Sequence, residues 1–255
     1  MGPRVVSHRG DAREAPENTP EAFSAALRSG VIGIELDVQL TRDEIPVVYH
    51  DQTLDRAGLP GRRICELSWA ELRRLEHATI PCITPTGPIT TLDDVLGAFG
   101  HRTDLWIELK SRAFERAQGL PRRLAEITVE KLESRDMMRR ARVLSFDRGL
   151  LRHVRTLSPD LSCCWNLEDG SDLAMAGDGV LDGLNAAGVR IEMLSEEAAL
   201  RARGAGLDLY AFVVNDLAEI RLAWKRHVDV VISDVPDAVF EAIADIRERK
   251  RPHEA

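Results

Sequence analysis

The chain has 255 residues, of which 44% are hydrophobic and 30% are charged, and its formal net charge at pH 7 is −8. This size and apolar content predict one large α/β domain rather than two small ones, and the acidic balance argues against a nucleic-acid partner, which requires clustered Lys and Arg. No window approaches the roughly 18 uninterrupted apolar residues of a membrane span, and the N-terminus lacks the features of a signal peptide. We therefore expect a cytoplasmic protein without stable membrane insertion; the sequence does not indicate an oligomeric state.

Apolar strand-like runs alternate with helix-like segments, which is the pattern of a parallel sheet with helical crossovers. The predicted strands are Arg4–His8, Ile32–Val38, Pro46–His50, Asp104–Leu109, Ala141–Ser145, Leu161–Trp165, Leu207–Val214 and Val228–Ser233, with a ninth candidate at Val189–Met193. The predicted helices are Thr19–Ser29, Ser68–Glu76, Leu92–Phe99, Pro121–Ser134, Arg148–Leu157, Glu196–Arg203 and Leu217–Lys225. This order predicts a single (β/α)8 TIM barrel spanning residues 1–255.

The barrel is expected to be irregular after its second strand. Gln39–Ile45 is too short for a helix, whereas neighbouring parallel strands usually need a longer crossover. The segment from about 51 to 90, after the third predicted strand, is rich in Gly and Pro and is interpreted as an insertion over the rim. Loops at such a rim often determine substrate selectivity. Residues 245–255 are expected to form a basic tail.

Three carboxylates lie where predicted strands end, namely Glu35, Asp37 and Glu108. Glu35 and Asp37 are two residues apart, so they point to the same face of a strand. In a parallel barrel the C-terminal ends of all strands meet at one rim, which would bring Glu108 to the same place. Three carboxylates suit a hard cation, Mg²⁺ or Ca²⁺, better than Zn²⁺.

Basic side chains and imidazoles also end these strands. Lys110 shares the face of Glu108, and Arg9 can donate two hydrogen bonds to a phosphate, so both are candidate phosphate ligands. His8 and His50 each follow an apolar run, and imidazole transfers protons readily near neutral pH. Asp51 either orients His50 or caps the following turn.

The cysteines show no C-x-x-C pair and no regular framework, and we expect them to be reduced thiols that serve packing. They are Cys65, Cys82, Cys163 and Cys164. The histidines away from the strand ends are assigned no role. They are His77, His101, His153, His227 and His253.

The chain resembles the glycerophosphodiester phosphodiesterase family, whose catalytic domain is a phospholipase-C-like barrel, from His8 to about Pro236. The motifs that carry the resemblance are His8-Arg9-Gly10, Ala15-Pro16-Glu17-Asn18-Thr19-Pro20-Glu21-Ala22-Phe23, Glu35-Leu36-Asp37, His50-Asp51, Glu108-Leu109-Lys110, Ser145-Phe146-Asp147 and Ser233-Asp234-Val235-Pro236. Two stretches depart from the family pattern. Phe212-Val213-Val214-Asn215 stands where the family commonly has W-T-V-N, and Arg56-Ala57-Gly58 replaces an Arg-Thr-Thr stretch.

The resemblance implies a set of roles for these residues. It assigns His8 and His50 as the acid–base pair, Glu35, Asp37 and Glu108 as ligands of a divalent cation, and Arg9 and Lys110 as ligands of the phosphodiester. It places Glu17 and Asn18 beside the site, where they would orient Arg9 or a ligand carboxylate. Phe212 would form an aromatic wall of the substrate pocket without an indole donor, and Gln39, Asn215 and Asp229 are expected at its mouth.

The implied reaction is hydrolysis of a small-molecule glycerophosphodiester to an alcohol and sn-glycerol 3-phosphate. Attack by the glycerol 2-hydroxyl through a cyclic phosphate and direct attack by water both remain open, as does which histidine acts as the acid. Two alternatives are retained. The first is a lysophospholipase D-type enzyme acting on lipid-tailed substrates, and the second is a non-catalytic barrel that binds a phosphorylated metabolite.

Overall fold

A computed structural model of the protein describes residues 2–77, 88–181 and 183–249. Within these ranges eight parallel strands close into a barrel, because the first strand pairs with both the second and the last. The barrel strands are β1 (Arg4–His8), β2 (Gly33–Leu40), β5 (Asp104–Leu109), β6 (Ala141–Ser145), β7 (Ser162–Leu167), β8 (Ala186–Arg190), β9 (Asp208–Phe212) and β10 (Val230–Ser233). Two short strands extend the sheet outside the barrel: β3 (Pro46–Val48) pairs antiparallel with β2, and β4 (Thr90–Thr91) pairs antiparallel with β3. The predicted TIM barrel is confirmed.

Helices lie between most of the strands, and the majority bury apolar faces against the barrel. They are α1 (Pro20–Arg28), α2 (Trp69–His77), α3 (Leu92–Phe99), α4 (Ala113–Arg116), α5 (Leu120–Ser134), α6 (Arg148–Leu157), α7 (Gly170–Ala174), α8 (Asp178–Leu181), α9 (Glu196–Gly204), α10 (Leu217–Lys225) and α11 (Pro236–Arg249). Local sequence explains where α1 begins: the Thr19 hydroxyl accepts a hydrogen bond from the Ala22 amide at 3.2 Å, and Pro20 occupies the first turn. Its Phe23 packs edge-to-face on Phe99 of α3, a burial that stabilises the fold by about 1.5–3 kcal/mol.

Large side chains fill the lower part of the barrel. Trp106 is almost fully buried there and lies across Gly33, where a Cβ atom would stand only 1.8 Å from the indole ring. Arg142 stacks on the same indole, 4.5 Å from the ring centroid. This packing closes the N-terminal side and leaves the C-terminal ends of the strands for polar groups.

Two strand predictions need correction. The segment Pro46–His50 is not a barrel strand: β3 ends at Val48 and runs antiparallel to β2, with Val38 opposite Val48. The short Gln39–Ile45 connection permits a hairpin-like return but no parallel crossover. The eighth barrel strand is instead β8, three residues earlier than the ninth candidate, and Ile191–Met193 forms a 3-10 turn.

The expected insertion follows β3 and has its own small apolar core. Short 3-10 helices at Asp55–Ala57 and Ile64–Glu66 precede α2. The buried residues that form this core are Val47, Tyr49, Leu54, Ile64, Leu67 and Leu72. The segment 78–87 of the expected insertion lies outside the described residues.

The C-terminal part of the chain is more ordered than the sequence indicated. Helix α11 continues to Arg249 and buries Ile246, so part of the expected tail belongs to this helix; residues 250–255 lie outside the described ranges. In the part of the chain that the structure describes, no helix has the length and apolar character needed to cross a membrane. The cytoplasmic location remains a prediction.

The cysteines that the structure describes carry free thiols, as predicted. Cys163 and Cys164 are buried in β7, and burial raises the pKa of Cys163 to about 12. Cys65 is half-buried. Cys82 lies outside the described residues.

Candidate active site

Three buried carboxylates meet at the C-terminal ends of β2 and β5. In the strand register Asp37 lies opposite Glu108, and Glu35 precedes Asp37 by two positions on the same face. One oxygen from each of Glu35, Asp37 and Glu108 lies within 4.8 Å of the others. The structure therefore brings together the three carboxylates predicted from the sequence, as an acidic cluster that could hold a metal ion.

The charges in this acidic cluster are unevenly balanced. Burial, together with the negative charges of Asp37 and Glu108, raises the pKa of Glu35 well above its usual value. Burial alone would also raise the pKa of Asp37, but the cations of Lys110 and Arg9 outweigh it and lower this pKa. The protein thus compensates the charge of Asp37 more fully than that of Glu35.

The turn after β1 wraps Arg9 around the acidic cluster. Its backbone amide donates to Glu35 Oε2 at 3.2 Å, and its Nε lies 3.0 Å from Asp37 Oδ2. Arg9 has a φ of 55° and Gly10 one of 86°, a left-handed conformation that is strained for a residue with a side chain. At position 10 a Cβ would lie 2.6 Å from the backbone of Ala22, so only glycine fits there.

Lys110 lies between two members of the acidic cluster. Its Nζ is 2.6 Å from Asp37 Oδ1 and also pairs with Glu108. Although burial opposes its charge, these carboxylates raise the pKa of Lys110. The ammonium group stays charged over the physiological range and lies where it could contact an anionic substrate.

A carboxylate holds the ring of His8 from a distant part of the chain. His8 Nδ1 donates to Asp234 Oδ1 at 2.6 Å, and its Nε2 lies 3.9 Å from Glu35 Oε2. The other oxygen of Asp234 accepts from Asn215 Nδ2 at 2.7 Å. Burial would raise the pKa of Asp234, but these hydrogen bonds, above all that from His8, lower it. An ionised carboxylate only accepts, so His8 carries its proton on Nδ1 and has Nε2 available for proton transfer.

His50 is held in a comparable way. Its Nδ1 donates to Asp51 Oδ1 at 2.8 Å, so Asp51 orients the imidazole, one of the two roles left open by the sequence. Burial lowers the pKa of His50, and Lys110 and Arg9 lower it further against the opposing effect of Asp37. The ring is therefore mostly neutral near pH 7 and could accept a proton.

Glu17 and Asn18 connect these groups, as expected of residues beside the site. Asn18 Nδ2 donates to Asp37 Oδ2 at 2.9 Å. Glu17 accepts from Arg9 at 3.1 Å and from Arg56 at 2.6 Å. Arg56 also pairs with Asp51. A continuous chain of ion pairs thus runs from the acidic cluster to the residue that holds His50.

Three of the four remaining predicted residues lie at the rim, and the fourth lies at the opposite end of the barrel. Phe212 ends β9 and packs edge-to-face on Phe146, with ring centroids 5.9 Å apart. Asn215 bonds Asp234, and Gln39 lies at the end of β2. The prediction for Asp229 is wrong: it precedes β10 at the opposite end of the barrel, where its Oδ2 accepts from the Leu209 amide at 2.9 Å.

Four side chains that bond to the site residues were assigned no role from the sequence. Asp234 and Arg56 hold His8 and Asp51, respectively, and Asn166 Nδ2 donates to Glu108 Oε2 at 3.3 Å. Arg112 bonds the backbone carbonyl of His50 at 2.6 Å. Asp234 and Asn166 could have been found, because each lies at the C-terminal end of a barrel strand.

Comparison with known proteins gives a consistent assignment. Residues 8–238 match the model of the glycerophosphoryl diester phosphodiesterase family. A glycerophosphodiester phosphodiesterase of Bacillus altitudinis is 31% identical over 244 residues, which is 92% of this chain and 95% of that protein. The human protein named Glycerophosphodiester phosphodiesterase 1 is 32% identical over 126 residues, or 48% of this chain and 38% of that protein. The matched region thus spans little more than a third of this mammalian relative.

Solved structures share the same barrel. A glycerophosphodiester phosphodiesterase of Thermotoga maritima superimposes with a TM-score of 0.75 at 25% identity, covering 94% of this chain and 98% of that one. A phosphodiesterase of Oleispira antarctica, solved in complex with the product sn-glycerol-3-phosphate, gives 0.79 at 24% identity and covers 95% and 97% of the two chains. With the family match extending over nearly all of the chain, the protein belongs to the glycerophosphoryl diester phosphodiesterase family.

Proposed function

We propose that the chain hydrolyses glycerophosphodiesters to an alcohol and sn-glycerol 3-phosphate with the help of a divalent cation. The observation that carries the proposal is the buried acidic cluster flanked by two imidazoles, each backed by a carboxylate. Family membership and the product complex of the Oleispira antarctica relative support the same reaction.

The acidic cluster fits a divalent cation. Its donors are all carboxylate oxygens, a set that suits Mg²⁺ or Ca²⁺. The raised pKa of Glu35, caused by burial and by Asp37 and Glu108, indicates that the cluster lacks positive charge. A cation held by these residues would supply charge that offsets the negative charge developing on the phosphoryl oxygens.

The side chains supply binding and proton transfer. Lys110 and Arg9 anchor the phosphate, because both are buried cations already in contact with the acidic cluster. His8 and His50 each keep Nε2 available, so one takes the proton of the attacking hydroxyl or water while the other protonates the departing alkoxide.

The test is detection of glycerol 3-phosphate from glycerophosphocholine and glycerophosphoethanolamine, with EDTA and after restoring Mg²⁺ or Ca²⁺. We expect release that EDTA abolishes and one of the cations restores. Glu35→Gln, which removes one proposed ligand charge at constant shape, should lower turnover by at least about a hundredfold. Absence of release with either cation would refute the proposed reaction.

Cation binding can be measured without substrate. A ligand at about 100 times its Kd adds about 2.7 kcal/mol of stability, which in a domain of this size raises Tm by roughly 5–10 °C. We expect this shift for the wild-type protein and a much smaller one for Glu35→Gln. Equal shifts in both proteins would remove Glu35 from the ligand set.

One observation favours a lipid-tailed substrate as the second candidate. A groove of about 600 Å³ lies between the segments that follow β7 and β8, and it includes the exposed Met175 and Met193. It could receive an acyl chain. Choline release from lysophosphatidylcholine faster than from glycerophosphocholine would support this alternative, and the reverse order would reject it.

A further inference from the structure

Sheet pairing fixes the position of His8 but not that of His50. His8 is the last residue of β1, a strand with parallel neighbours on both sides, and is itself in register with Glu35 of β2. His50 follows β3, which lies outside the barrel and ends at Val48. The backbone bond immediately before it runs from the Tyr49 amide to the Asp37 carbonyl at 3.0 Å. Other contacts must therefore hold the histidine segment beside the acidic cluster.

The side chains of Gln39 and Arg112 provide these contacts, and we call the pair the carbonyl clamp. Gln39 Nε2 donates to the backbone carbonyls of Tyr49 at 2.6 Å and Asp51 at 2.9 Å. Arg112 donates to the carbonyl between them, that of His50, at 2.6 Å. It also donates to Gln39 Oε1 at 2.9 Å. Three consecutive carbonyls are thus held by two side chains that also bond each other.

One residue of the carbonyl clamp lies on a strand that carries the acidic cluster, and the other lies between such a strand, β5, and helix α4. Gln39 lies two residues after Asp37 on the same face of β2, and Arg112 comes two residues after Lys110. Gln39 is only 3% exposed, so its amide must be fully hydrogen-bonded to be tolerated there. Glu115, also buried, accepts from Arg112 at 3.3 Å and fixes the guanidinium.

We infer that Gln39 and Arg112 are positioning residues that set the distance of His50 from the acidic cluster. The inference rests on the proposed function, in which His50 transfers a proton. It explains how His50, on a segment outside the barrel, is kept at a fixed distance from the acidic cluster inside it. A displacement of about 1 Å at a reacting group costs on the order of a hundredfold in rate, which is the effect expected when the clamp is broken.

The experiment compares Arg112→Ala with Arg123→Ala, a matched control in which an exposed arginine paired with Glu44 is removed. We expect kcat to fall about a hundredfold for Arg112→Ala, with KM changed less than about threefold. Added guanidinium should restore at least tenfold of the lost kcat by refilling the vacated position. The control should retain wild-type kcat and show no guanidinium effect.

Gln39→Met supplies an independent variant of similar volume if Arg112→Ala folds poorly. Because both side chains hold one segment, the double variant should lose about as much kcat as either single variant. Wild-type kcat in the two single variants, or a loss in the double variant equal to the product of the single losses, would overturn the inference.

A measurement that does not depend on catalysis tests this inference separately from the proposed function. In cation-free protein the NMR signals of the His50 ring should shift in Arg112→Ala, while those of His8 stay in place. An unchanged His50 signal would overturn the inference even in an active enzyme. A wild-type protein without phosphodiesterase activity would instead refute the proposed function and leave the NMR comparison to decide on the clamp.

Discussion

Replacing Asp234 by asparagine tests how the site prepares His8. The carboxylate accepts one hydrogen bond from His8 Nδ1 at 2.6 Å and a second from Asn215 Nδ2 at 2.7 Å. An amide in its place has one acceptor oxygen for two donors and no charge. The imidazole then loses the partner that fixes its tautomer and its orientation.

The expected loss follows from the bond that is removed. A hydrogen bond to a charged group contributes about 1.5–3 kcal/mol. The Asp234 side chain is 38% exposed, so water screens part of this energy and the lower half of the range applies. About 1.5–2 kcal/mol corresponds to a 10- to 30-fold fall in kcat/KM.

The assay is the release of glycerol 3-phosphate by Asp234→Asn at several substrate concentrations. Asp237→Asn is the control, because it removes a nearby exposed carboxylate that pairs only with Arg13 among the described contacts. Thermal unfolding of Asp237→Asn should remain close to that of the wild type, and the Tm of Asp234→Asn should fall by no more than roughly 3–8 °C, so that both variants are folded under the assay conditions. A kcat/KM for Asp234→Asn within about twofold of the control would show that the carboxylate does not prepare His8.

Other changes have equally specific outcomes. Lys110→Met removes the buried cation that pairs with both Asp37 and Glu108. It should destabilise the cation-free protein by about 3 kcal/mol, roughly 6–12 °C in Tm, and lower kcat/KM at least a hundredfold. An unchanged Tm by calorimetry would contradict the pairing. Arg56→Ala should cost about 1 kcal/mol in urea unfolding at pH 7, since its ion pairs are partly exposed. Arg9 and Arg56 lower the pKa of Glu17 against burial, so this stabilisation is present above pH 4.5 and should disappear as the pH falls below it; a pH-independent loss would refute the assignment. Gly10→Ala should destabilise by about 2–3 kcal/mol, because both its φ and its space exclude a Cβ, and near-wild-type urea unfolding would contradict this.

The strands whose bounds could be predicted accurately are those whose local sequence favours a strand and which also pack as strands in the barrel. Asp104–Leu109 and Ala141–Ser145 are apolar runs bounded by turn residues, and both lie at the predicted positions. The strand Ala186–Arg190 begins with small residues that favour no strand by themselves. Its pairing with β7 and β9 decides its structure, and Gly188 leaves the space that Asn166 and Phe212 occupy.

In the candidate site, too, features determined by local sequence could be predicted and those determined by distant contacts could not. The acidic cluster and both histidines could be predicted because His8, His50 and Glu108 lie near the ends of apolar runs and Glu35 and Asp37 share one face of a strand. Their partners could not, since Asp234 lies 226 residues from His8 and Arg112 lies 62 residues from His50. A strand or loop predicted from local sequence does not indicate which distant side chains will bond to it. For this reason the roles of Arg56 and Arg112 could be seen only in the structure.

The charge balance of the acidic cluster links its stability to its proposed chemistry. Lys110 and Arg9 both contact Asp37, whereas Glu35 accepts only a backbone hydrogen bond from Arg9 among the hydrogen bonds that the structure describes. Because the folded-state pKa of Glu35 is raised, ionising this group costs stability as the pH rises above its unfolded value near 4.5. A bound cation would remove this cost and would therefore bind most strongly where Glu35 is ionised. The same imbalance that destabilises the cation-free fold would thus contribute to the affinity for the proposed cation. The carboxylates also hold the strained turn at Arg9, because Asp37 contacts its guanidinium and Glu35 accepts from its amide.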